Sequence, residues 1–187
     1  MVDKRLPFAI VLCIALAAAL PSAARADITL TGTAALGPNT RTVTLVLRCG
    51  VTRAAVIDAD LVVPAVGPLK ALYDFDSFEG PYAKSSTLPL SKLESSGGAA
   101  AFVASGAIPV SPADGFRFTV ASGLQAKGKP AEMARVLRPV AASGGVLTWT
   151  QGNPARGRAA LEVRFEVLPS AAAQLLAALG PCLGPAR

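Results

Sequence analysis

From Asp27 onward, apolar and polar residues take turns with a period of two. Ile28, Leu30 and Gly32 alternate with Thr29, Thr31 and Thr33, which predicts a half-buried strand rich in β-branched residues. Gly37-Pro38-Asn39 is a turn signal, and a second strand is expected over 41–48 with Val43, Leu45 and Leu47 on one face. A third strand is expected over 54–63, where Asp58 and Asp60 point one way and Ala59 and Leu61 the other. Residues 70–78 read as a strand or an aromatic-rich loop that stops at Gly80-Pro81. The polar, Ser-rich stretch 84–93 then has Leu88, Leu90 and Leu93 as its inward set.

Further strands are expected over 99–108, 116–121, 146–151 and 158–168, the last alternating Leu161, Val163, Phe165 and Val167 with Glu162, Arg164 and Glu166. Residues 131–137 fit a short helix or an edge strand halted by Pro139. Pro169-Ser170 introduces a helix over 171–179, closed by Gly180-Pro181. Short alternating strands punctuated by turns imply an all-β fold, an antiparallel β-sandwich or small barrel, with one short C-terminal helix.

Composition changes this picture at the N-terminus. Lys4 and Arg5 precede an apolar run over 6–20, and Ala24-Arg25-Ala26 is a small-x-small cleavage site, so 1–26 reads as a cleaved signal peptide. The run is shorter than the ~20 residues that span a bilayer as a helix. The expected product is one exported domain over 27–187, periplasmic or secreted, with no transmembrane segment after cleavage.

Two cysteines remain beyond the leader, Cys49 and Cys182, and in an oxidising compartment they are expected to pair. The chain contains no His. Ser-His-Asp triads, Cys-His dyads and His-ligated zinc are therefore excluded, and neither a phosphate-binding loop nor a dinucleotide fingerprint appears. No cofactor is implied.

What remains is carboxylate and aromatic. The stretch 72–82 carries Tyr73, Asp74, Asp76, Glu79 and Tyr82 among its rings and acids, and these are the candidate ligand-binding residues. Tyr73 and Tyr82 are expected to be exposed, because a phenol favours water or a partner for its hydroxyl, whereas Phe75 and Phe78 are expected in the core. Asp58, Asp60, Asp74 and Asp76 form a weak calcium candidate, since hard cations take oxygen ligands. Charge adds a basic C-terminal half, in which Lys127, Lys129, Arg135 and Arg138 cluster and could face an anionic envelope surface. No nucleic-acid module is present. The sequence thus implies a binding or interaction domain of non-enzymatic type, recognising a partner or small ligand through 72–82. The alternatives are a carboxylate-dependent hydrolase of envelope sugars and a protein that docks on anionic lipid.

Overall fold

The computed structural model describes residues 27–51, 55–79, 88–108 and 115–184; the expected signal peptide, Gly80-Pro81 and Tyr82 lie outside them. Nine strands form one antiparallel sheet: β1 (Asp27–Leu36), β2 (Asn39–Val51), β3 (Ala55–Val63), β4 (Ser91–Ser95), β5 (Gly98–Phe102), β6 (Ser105–Ala107), β7 (Phe116–Ala121), β8 (Gly145–Gln151) and β9 (Leu161–Val167). Among the described residues two α-helices complete the fold, α1 (Lys129–Ser143) and α2 (Pro169–Leu183). The antiparallel all-β class with a C-terminal helix is the one the chain adopts.

The strand order is β5-β4-β8-β9-β1-β2-β3-β7-β6. Its two edge strands are consecutive in sequence, separated only by Val103 and Ala104. Laid flat, nine strands would put those edges roughly 38 Å apart, at ~4.8 Å per strand. Three residues of chain reach ~10 Å. The connection therefore requires the sheet to curl until its edges face each other, and the sheet is indeed a curled half-barrel. The alternation read from the sequence decides which face turns inward. Leu45 and Leu47 of β2, Ala59 and Leu61 of β3, Phe116 and Phe118 of β7, Trp149 of β8 and Phe165 of β9 are all fully buried. Gly32 keeps that inner face smooth, because a Cβ there would stand 2.6 Å from Cε1 of Phe165.

The stretch expected as one strand over 99–108 is two, because Val103-Ala104 is where the chain crosses from one sheet edge to the other. The 131–137 segment is part of a 15-residue helix that runs through Pro139. Proline removes the amide that would satisfy the Arg135 carbonyl, and that carbonyl faces Gly97, which has no side chain to obstruct it. Helix α2 likewise runs past Gly180-Pro181, so its last turn buries Cys182 and Leu183 before Gly184 ends it at φ 68°. Cys182 is bonded to Cys49 of β2 with a Cα–Cα distance of 5.7 Å, which fastens the C-terminal helix to the sheet as the pairing expected. Among the described residues, no helix is long and apolar enough to cross a membrane.

Open edges invite unwanted strand pairing, and here side chains occupy them. The Arg135 guanidinium donates to the carbonyls of Gly97 and Ala99 along β5. The Gln125 carboxamide accepts from the Val103 amide at 3.0 Å and donates to the Val103 carbonyl at 3.1 Å, taking the place a neighbouring strand would fill. On β6, Gly106 meets Glu79 in a single parallel bridge.

Candidate functional site

Residues 66–79 form neither a strand nor a free loop. Two 3-10 turns, Gly67–Leu69 and Asp76–Phe78, fold the segment back so that its rings enter the barrel. Phe75 and Phe78 are buried as expected. Tyr73 is buried too, at 0% exposure, so the expectation of an exposed phenol is corrected. The reason is that its polar end has a partner inside: the hydroxyl donates to the Gly152 carbonyl at 2.7 Å. Tyr73, Phe75 and Phe78 gather around Phe118, with ring centroids 6.0, 6.1 and 5.2 Å from it.

Burial first, and the charge of Asp74 second, push the Tyr73 phenol far above its ordinary value of 10.0. The phenol stays protonated in the folded chain at pH values where it ionises in the unfolded one. Stability is therefore unaffected below about pH 10 and falls as pH rises above it, with a limiting slope of about 1.4 kcal/mol per pH unit. Replacing Tyr73→Phe should remove this slope. It should also destabilise the protein by about 1–2 kcal/mol at neutral pH, since the Gly152 carbonyl loses its donor. Urea melts of both proteins at pH 7 and pH 11 check the pair of effects, and equal slopes would contradict the assignment.

The polar half of the same segment faces out. Asp74 accepts from the Ser77 amide at 3.2 Å and the Ser77 hydroxyl at 2.5 Å, holding the second turn as an Asx cap. Asp76 accepts from Lys70 at 2.9 Å, and this partner, more than the accompanying charge attraction, raises the Lys70 pKa. The loop 152–159 closes the other side. Asn153 donates to the carbonyls of Leu72 and Ala159, at 2.9 and 3.1 Å, and Arg158 donates to the carbonyl of Ala71. Between them lies a cleft of about 270 Å³ lined by Lys70, Tyr73, Asp74, Phe75, Asp76, Ala155 and Arg158. Asn153 was not singled out from the sequence, because nothing local there announces that the loop reaches across to residues 71–74.

The other candidates lie elsewhere. Asp58 and Asp60 project from the outer face of β3, where they join strands. Asp60 accepts from Arg48 at 2.6 Å and from Thr119 at 2.7 Å, and Asp58 accepts from the Ser122 amide at 3.1 Å. Hydrogen bonds to Asp60 and then to Asp27 raise the Arg48 pKa against an opposing desolvation. Among the described residues no group of three or more metal-ligating side chains converges, so Asp58 and Asp60 do not assemble a cation shell with Asp74 and Asp76. Glu79 stands at the β6 edge, with Oε1 buried.

The basic cluster is also drawn into the fold. Lys129 pairs with Glu132 at 2.8 Å and lies 5.7 Å from the Phe102 ring centroid, Arg135 covers β5, and Arg138 donates to the Leu183 carbonyl at the end of α2. Lys127 is exposed in the turn before α1.

Fold and cleft together define a curled antiparallel half-barrel, closed by two helices and by an aromatic plug whose outer side forms a charged rim. Comparisons with protein-family models, with curated proteins and with solved structures give no match to this chain.

Proposed function

We propose that the chain is an exported, non-enzymatic binding module, periplasmic or secreted, that takes a small polar ligand or a partner's polar side chains in the 70–76 cleft. One observation carries this reading: the segment that supplies the rim is anchored by its own rings. Tyr73 and Phe75 are buried, while Lys70, Asp74 and Asp76 line the opening with Arg158 opposite. A rim held from below loses little freedom on binding, which is how preorganisation favours affinity. Two cations facing two carboxylates suit a ligand that carries both donors and acceptors more than one with a large net charge. Among the described residues Asp74 holds the second turn, Asp76 pairs with Lys70, and Asp58 and Asp60 tie their strand to its neighbours, which favours a binding role for these carboxylates over acid and base work. The Cys49–Cys182 bond fits an oxidising compartment.

A thermal-shift screen of oligosaccharides, amino acids and short peptides tests the proposal, because a ligand selective for the folded state raises the melting temperature. Hits should be lost in Arg158→Glu and kept in Lys92→Glu, on strand β4 away from the cleft. A screen without hits, or hits indifferent to Arg158→Glu, would sink it.

A further inference from the structure

At the seam where the curled sheet brings its edges together lies a second groove, of about 410 Å³. Small-molecule sites occupy roughly 300–1,000 Å³, so its size is suitable. Its apolar lining comes from Leu88, Val103, Ala104, Ala121, Leu124 and Ala126, and Leu124 is 88% exposed. Single exposed apolar residues are ordinary, but several gathered in one concavity mark a contact surface.

The state of the backbone says what kind of occupant fits. A peptide strand would need free amides and carbonyls at the seam. Those of Val103 are taken by Gln125, the Gly97 and Ala99 carbonyls by Arg135, and Gly106 already meets Glu79. Unsatisfied hydrocarbon is what remains, so a hydrocarbon chain is the better match. Charge selects its head. Lys127 follows the lining residue Ala126, and the Lys129 ammonium lies over Phe102, next to Val103. Of the described carboxylates nearby, Glu132 is paired with Lys129, Asp60, which accepts from the lining residue Thr119, is held by Arg48, and Asp58 sits across from the lining residue Ala121 and accepts from the Ser122 amide. Against these three stand Lys127, Lys129, Arg48 and the exposed Arg117 of β7, so the described groups around the groove carry one net positive charge.

We propose that the seam groove binds a single-chain anionic amphiphile, its tail along Val103 and Leu124 and its head beside Lys127 and Lys129. The experiment is calorimetric titration of the purified protein with dodecanoate and, separately, with dodecyltrimethylammonium, both below micelle formation. Dodecanoate should bind one to one and at least tenfold more tightly than the cation. Val103→Ser/Leu124→Ser should weaken it at least tenfold with the melting temperature kept; if that double variant fails to fold, Leu124→Ser alone should weaken it at least threefold. Lys127→Glu should weaken it severalfold and flatten its salt dependence. Equal binding of the two amphiphiles, indifference to the Leu124 change, or association only with vesicles of anionic phospholipid would each overturn the proposal. The readout is independent of the 70–76 cleft, whose failure would leave this result untouched.

Discussion

Replacing both bridged cysteines, Cys49→Ser/Cys182→Ser, should lower the unfolding free energy by about 2–5 kcal/mol. The bond spans 133 residues of sequence, for which the chain-entropy account gives about 5 kcal/mol as its upper figure. A typical domain has only ~5–15 kcal/mol in total, so the loss is a large fraction of it. The variant should nevertheless fold near room temperature. Helix α2 still buries Ala172, Leu175, Leu179 and Leu183, and Arg138 still holds the Leu183 carbonyl. What changes is where the molecule opens first. Hydrogen exchange should accelerate over 169–183 before it does so in β1–β3, because the helix has lost its covalent tie while the strands keep their ladders. Unchanged urea midpoints in the variant, or in the wild type under reductant, would contradict this role for the bond.

Much of this architecture is legible in the sequence, because period-two alternation is a local signal. In β1, β2, β3, β7 and β9 the buried apolar side chains are those the alternation puts on one face, and the cysteine pairing follows from having two cysteines in a chain expected to be exported. The misjudged elements are those where a local stop signal yields to a distant partner. Pro139 reads as a terminator, yet α1 continues because Val140 and Ala141 are buried beyond it, while Gly97, lacking a side chain, leaves room for the freed Arg135 carbonyl. Gly180-Pro181 reads as a helix end, yet one further turn brings Cys182 to Cys49. The same limit applies at the candidate site. That 72–82 concentrates rings and acids is visible in the residues, but that Tyr73 turns inward depends on the carbonyl of Gly152, 79 residues away. The cleft's far wall, Ala155 and Arg158, comes from a loop whose composition resembles any turn.

The second large effect is expected at Phe118. Phe118→Ala should destabilise the protein by about 3–5 kcal/mol, the usual range for removing a buried ring. Phe118 is fully buried, and its ring lies within 4.7–6.1 Å of four others: Phe116, Phe78, Tyr73 and Phe75. Each such pair adds about 0.5–1.5 kcal/mol beyond its area, so truncation here removes more than one residue's share. Phe118→Leu keeps most of the volume and should recover a large part of the loss. The consequence extends to the cleft, because Tyr73, Phe75 and Phe78 have Phe118 as their common support. In Phe118→Ala the 66–79 segment should exchange its amides faster, and any ligand found for the cleft should bind more weakly although no rim residue has changed. Leu175→Ala, in the same core on α2, should cost about 2–5 kcal/mol while leaving that segment's exchange near wild type. If both variants loosened 66–79 alike, the segment would be responding to global stability and the aromatic anchoring of the cleft would be refuted.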